Sequence, residues 1–210
     1  TITNTLHITI DLIHRLLSRS NTNLTKKTFQ CYGLACLYIA SKLNEIYTIE
    51  IRDLSYLSDG ACSPEQIIAA QFDILQVLDY NICTPLAIKF LRMYSSMSEF
   101  DDRHHASSKF LLEYCLMSNT IVKSHQPSDI ALAVTLYVLE HYLEEWTPEL
   151  KKLSGYTASA FRRTSSWKDI SAYLSVSPTD RYKSKSLTAI QRTYTRRFFD
   201  VANELYPNEK

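Results

Sequence analysis

Two stretches of this sequence leave a helix almost no polar face. Phe29–Ala40, "FQCYGLACLYIA", and residues 130–139, "IALAVTLYVL", are apolar on nearly every side when wound at helical pitch. Each is shorter than the roughly 18 apolar residues of a membrane span. A helix of this kind has to be surrounded by other helices. Residue usage points the same way. The chain has only three glycines, Gly33, Gly60 and Gly155. Phosphate-cradling GxGxxG and P-loop motifs need several positions without a Cβ and are excluded. A hairpin-rich fold is disfavoured for the same reason.

The remaining segments carry helical periodicity. Leu6, Ile10, Ile13, Leu16 and Leu17 recur at spacings of three and four. Thr25 is the expected N-cap of the first apolar helix, which runs to about Glu45. Gly33, Ala35 and Ala40 are small enough for neighbouring helices to approach. A short segment, Ile51–Leu57, follows. In "SDGACSPEQ", Ser63 caps, Pro64 opens and Gln66 completes a capping box. Ile67, Ile68, Phe72, Leu75 and Leu78 stripe the helix that follows, and Pro85 ends it. Amphipathic helices over 85–97 and about 102–120 come next. Ser128 is the expected cap of the second apolar helix, and a further helix runs from about Ala158 to Tyr173.

The order of these elements repeats. "DLSYLSDGACS" and "ELKKLSGYTAS" share Leu-x-x-Leu-Ser-(x)-Gly-x-x-Ser, pairing Leu54 with Leu150, Leu57 with Leu153 and Gly60 with Gly155. Ala35 and Ala131 fall in register. The expectation is all-α, with two similar modules over residues 1–84 and 85–180. Residues 181–210 form a basic amphipathic helix striped by Leu187, Ile190, Tyr194, Phe198, Val201 and Leu205.

The net charge of +1 provides no field to recruit nucleic acid or a membrane. No signal peptide is visible. Five cysteines without a CxxC pair read as reduced core residues. No residue set is spaced for a metal or a cofactor. His7 and His14 share a face, but no carboxylate or cysteine joins them. Asp101–Asp102 and Glu144–Glu145 are adjacent, so they diverge on a helix and make poor acid–base pairs.

"TLHITIDLIHRLLS", "KTFQCYGLACLYIASKLNEIY", "IRDLSYLSDGACSPEQI" and "ILQVLDYNICTPLAIKFLR" together resemble mitotic A/B-type cyclins, and "PSDIALAVTLYVLEHY" with "ELKKLSGYT" resembles their second box. The resemblance implies two tandem five-helix cyclin boxes, the first lacking its first helix. It implies a non-catalytic regulatory subunit, in the nucleus or cytoplasm, that activates a cyclin-dependent protein kinase in cell-cycle control. Lys42 matches the lysine that reaches the backbone of a kinase's movable C-helix, and Gln71 stands where its glutamate mate is usual. Ile39, Leu43, Leu75, Tyr80 and Ile82 match the adjoining apolar pocket, and Glu45 a further polar contact. Gln30 and Leu57 match part of the groove that recruits Arg-x-Leu motifs; the absent helix supplies most of that groove. His14 departs from the family's aspartate. From the residues alone, Lys42 and Glu45 would be a solvated i, i+3 pair worth a few tenths of a kcal/mol. Two other readings stay open. One is a cyclin-fold chain that activates no kinase. The other is a two-box interaction protein like TFIIB or the retinoblastoma pocket, against which the clustering of basic charge in the C-terminal segment counts.

Overall fold

The computed structural model describes residues 2–19, 25, 26, 28–182 and 201–207. All regular structure among them is helical. The chain divides into two compact units, Thr1–Leu86 and Ala87–Lys210.

In the first unit, α1 (Ile2–Leu17), α2 (Phe29–Asn44), α3 (Ile51–Leu57) and α4 (Pro64–Val77) pack around α2. Tyr32, Ala35, Cys36, Ile39 and Ala40 of α2 are buried against Leu12 and Leu16 of α1, Leu54 of α3, and Ile67, Ala70 and Ile74 of α4. In the second unit, α8 (Pro127–His141) is the buried centre, lined continuously by Ile130–Leu136, Val138 and Leu139. It packs on α5 (Ala87–Met97), α6 (Asp102–Leu116) and α11 (Ser165–Leu174). The other elements there are α7 (Asn119–Ser124), α9 (Pro148–Ser154), α10 (Ala158–Phe161), α12 (Pro178–Tyr182) and a short helix at Val201–Leu205.

The repeated motif keeps its environment in both units. Leu54 and Leu150 are fully buried, while Gly60 and Gly155 are left-handed at φ +74° and +75°. Only glycine adopts that conformation without a Cβ penalty. The Ser63–Gln66 capping box forms as expected, with Pro64 at its start.

Several expectations are corrected. α2 begins at Phe29, with Thr28 at its N-cap position. Thr25 caps the turn ahead, its hydroxyl accepting from the Thr28 N–H at 3.2 Å. Gln126, not Ser128, precedes α8, because Pro127 already sits at the first position, where its missing N–H costs nothing. The helix expected over 102–120 stops at Leu116, and Ser118 caps α7 through the Ile121 N–H. The helix expected over 158–173 is two helices, because Thr164 caps α11 through Trp167. Gly33 is no site of close approach: a Cβ there would meet nothing within 4 Å.

Two stripes are also rotated. The buried residues of α1 are Thr5, His7, Thr9, Leu12 and Leu16, while Leu6 and Leu17 are exposed. Thr9 can be buried because its hydroxyl donates to the Thr5 carbonyl at 2.7 Å. On α4 the buried face is Ile67, Ala70 and Ile74, with Leu78 just beyond; Ile68 and Phe72 face outward. Most of the expected C-terminal amphipathic helix lies outside the described residues. Of its stripe, Val201 and Leu205 are buried.

The cysteines have the environment of core residues in three cases. Burial pushes the Cys36 thiol up to about 12 and raises that of Cys115. Cys62 is also buried, Cys31 is half-buried and Cys83 is exposed.

Candidate functional site

The polar ending of α2 divides into two parts with different roles. Asn44 and Glu45 turn towards α1. The Thr5 hydroxyl donates to the Glu45 carboxylate, as does Asn44 Nδ2 at 3.1 Å, and Asn44 Nδ2 also lies 2.9 Å from Thr5 Oγ1. The Thr5 bond, more than any other contact, holds the Glu45 carboxyl below its usual value. Glu45 therefore helps fasten the end of α2 to α1.

Lys42 turns the other way, towards α4. Its ammonium lies 3.9 Å from the centre of the Tyr38 ring and donates to Gln71 Oε1 at 3.3 Å. Tyr38 and Lys42 are one helical turn apart, so the ring supports the lysine from the same face. Lys42 and Glu45 do not form the i, i+3 pair that spacing alone would allow.

The surroundings of Lys42 are apolar and accessible. Leu43 of α2 and Ile68 of α4 are both exposed, and Phe72 is 57% exposed. Leu75 is half-buried, one turn beyond Gln71. After α4 the chain reverses through Asp79 and Tyr80, both left-handed, with the Tyr80 N–H bonded to the Leu75 carbonyl at 2.8 Å. This is the Schellman closure, made here without glycine. Tyr80 is left 66% exposed. The exit beyond it is tied to α1: Arg15 donates to the Asn81 carbonyl, and Thr84 donates to Asp11 at 2.7 Å. Ile82 is half-buried against the core, and Ile39 is fully within it, beneath the exposed residues.

Ile68 and Phe72 belong to the apolar stripe of α4 in the sequence but lie outside its buried face. Ile68, Phe72 and Leu75 recur at i, i+4 and i+7, parallel to the buried set. Which stripe would be covered depends on where α2 lies.

Gln30 and Leu57 are exposed at opposite ends of their helices, on the first turn of α2 and at the end of α3. Leu57 is 71% exposed. With Arg52, Ser55, Tyr56, Asp59, Gly60 and Pro64 it lines an open cavity of about 660 Å³, to which Gln30 does not contribute.

Among the described residues no helix is long and apolar enough to cross a membrane, and no group of three or more His, Cys, Asp or Glu side chains could hold a metal ion.

Family models match nearly the whole chain: the cyclin N-terminal domain over residues 2–83 and the cyclin C-terminal domain over residues 85–207. The chain belongs to the cyclin family. Several mitotic cyclins are similar to it. The G2/mitotic-specific cyclin-B of Hydra vulgaris is 36% identical over 155 residues, covering 73% of this cyclin and 42% of the relative. Cyclin-B1 of Carassius auratus is 34% identical over 156 residues, covering 73% and 38%. The mitotic cyclin cig2 of Schizosaccharomyces pombe is 31% identical over 153 residues, covering 72% and 36%. This cyclin thus spans about two fifths of the length of the curated relatives it matches. A viral cyclin from herpesvirus saimiri shares the fold at a TM-score of 0.67 and 20% identity, covering 82% of this chain and 76% of that one.

Proposed function

We propose that this cyclin is a regulatory subunit of a cyclin-dependent protein kinase and docks the kinase's movable C-helix on the face built from α2 and α4. The observation that carries this reading is the position of Lys42. It is the cation held between two helices by Tyr38 and Gln71, on a surface where Leu43, Ile68, Phe72 and Tyr80 are exposed. An apolar patch with a central polar anchor is the usual make-up of a helix-docking surface. The cyclin contributes no catalytic group. It binds the inward position of the C-helix more tightly, and so shifts the kinase towards the state in which its catalytic lysine–glutamate pair forms.

The test is retention of a cyclin-dependent kinase with histone-phosphorylating activity by the purified chain, with Lys42→Glu as the control. Kinase retained by the wild type and lost in the variant supports the reading. A folded variant that retains kinase as well as the wild type refutes the assigned face.

A second reading, a chain that binds kinase without activating it, is favoured by Gln71. A neutral amide anchors Lys42 less firmly than a carboxylate would. Kinase retained without phosphorylation of histone would favour that reading. Gln30 and Leu57 are proposed to form one wall of a groove for short Arg-x-Leu segments of substrates or inhibitors in a chain that carries the first helix of the box.

A further inference from the structure

Two of the five cysteines meet in space. Cys31 lies on the first turn of α2 and Cys62 in the turn that leads into α4, and both belong to the packed interior of the first unit. Their thiols are hydrogen-bonded to each other. Cys36 and Cys115 are raised by burial alone, with no second thiol acting on them, and Cys83 is exposed.

The pair sits on well-held backbone. Cys31 is carried by the helical backbone of α2. The Cys62 N–H donates to the Ser58 hydroxyl at 3.1 Å, and the Ser55 hydroxyl donates to the Cys62 carbonyl at 2.7 Å. The two thiols differ in access. Cys62 is 3% exposed, whereas Cys31 is half-buried and follows the exposed Phe29 and Gln30. A small oxidant therefore reaches Cys31 first. Burial, followed by Cys62, pushes the Cys31 thiol up to about 11. Thiolate is the reactive form, so Cys31 reacts slowly at neutral pH and faster as pH rises.

A single buried cysteine is a small apolar residue. Two in thiol–thiol contact, one of them accessible, are also the halves of a disulfide. We infer that Cys31 and Cys62 form a reversible disulfide with hydrogen peroxide as the oxidant, and that this bond staples the start of α2 to the turn before α4. The Cys31 thiolate attacks one peroxide oxygen. The O–O bond breaks, leaving a Cys31 sulfenic acid and, with a proton, one water. The Cys62 sulfur then attacks the Cys31 sulfur, and the hydroxyl leaves with the Cys62 proton as a second water. The two thiols lose two electrons in all, and the peroxide takes them up. A dithiol reductant reverses the bond by exchange. The bond closes residues 31–62 into a loop and so removes entropy from the unfolded chain. Lys42 lies eleven residues further along α2, about 16 Å at helical rise. The staple thus acts at the opposite end of α2 from the proposed docking face and does not depend on that proposal.

The test treats the purified, folded chain with hydrogen peroxide at pH 7 and pH 9, alkylates the remaining thiols and maps the peptides by tandem mass spectrometry. The expected product is a Cys31–Cys62 cross-link within one chain, formed faster at pH 9 and removed by dithiothreitol. The oxidised chain should melt roughly 5 °C or more above the reduced one, and dithiothreitol should abolish the difference. Cys62→Ala removes the second thiol, so oxidation should stop at a Cys31 sulfenic acid that dimedone traps. Cys31→Ser should leave Cys62 unoxidised, because it is covered. Oxidation of the exposed Cys83 shows in every sample that the peroxide is active. No Cys31–Cys62 cross-link while Cys83 is oxidised, or a cross-link only after unfolding in urea, would overturn the inference. A cross-link in the folded chain that leaves Tm unchanged or lowers it would overturn the staple.

Discussion

Leu143 ends α8 in a conformation that a leucine should avoid. Its φ is +58°, in the left-handed region, and it closes the helix at the position usually given to glycine. The Glu144 N–H reaches the Leu139 carbonyl at 2.8 Å, and the Leu143 N–H reaches Glu140 at 3.4 Å. The side chain is 91% exposed, so it gains almost no burial in return. Left-handed backbone costs an L-residue about 1–2 kcal/mol. Glycine removes that cost but loses about 0.5–1 kcal/mol of additional unfolded-state entropy. Leu143→Gly should therefore stabilise the chain by about 0.5–1 kcal/mol net, raising Tm by roughly 2–4 °C at the upper end for a chain of this size. Leu143→Ala is the decisive control. It removes the exposed side chain but keeps the Cβ, so it should yield little of the gain. Calorimetric melts of the three proteins test the argument. Equal stabilisation by alanine and glycine would show that the exposed side chain, and not the backbone, was the source. A destabilised Leu143→Gly would refute the reasoning altogether.

Asp79→Gly relieves the equivalent strain after α4, where φ is +52°, and should raise stability in denaturant unfolding by up to about 1 kcal/mol. Ser63→Ala removes the cap that starts α4 and should cost about 1 kcal/mol in the same assay. Ala35→Trp places a large ring where no space exists and should cost about 1–3 kcal/mol or more, seen as a lowered Tm; normal stability would contradict the described core. His105 provides a test in pH. Burial, followed by the charges of Lys109 and Arg92, lowers its pKa below the usual 6.5, opposed by Asp102. The unfolded chain therefore takes up the proton first, and stability is lost as pH falls below 6.5. His105→Gln should flatten that part of the stability profile, measured by denaturant midpoints across the acid range.

Much of the fold could be read directly from the residues. The two apolar runs specified the central helices; α8 is buried on nearly every side, whereas α2 leaves Phe29 exposed and Leu34, Leu37 and Tyr38 half-buried. Ser63, Pro64 and Gln66 specified a helix start through chemistry confined to four residues, and it forms as read. Gly60 and Gly155 marked equivalent left-handed turns. Sequence and structure diverge where several local solutions are comparable. Pro127 outcompeted Ser128 as the start of α8. Thr164 and Ser118 interrupted helices whose apolar periodicity continued past them, because a hydroxyl that accepts an N–H bond at a helix start is as available inside a periodic run as before one.

The proposed docking face was legible only in part. Family likeness led to Lys42, Gln71 and Tyr80, but the residues themselves did not say that Glu45 would turn to Thr5 while Lys42 turned to Tyr38. The spacing 38–42 allows the ring contact; the presence of α4 beside it, bringing Gln71, completes it. Periodicity alone could not separate the two apolar stripes of α4. Ile67–Ala70–Ile74 and Ile68–Phe72–Leu75 are comparable as sequence, about 100° apart on one helix. The residues alone dictate that these segments are helices and which of them lie at the centre, because backbone hydrogen bonding and apolar periodicity are local properties. Which apolar side chains remain on the surface, and which way a lysine at the end of a helix points, was decided by where α1, α2 and α4 pack, since exposure is a property of the neighbours and not of the residue.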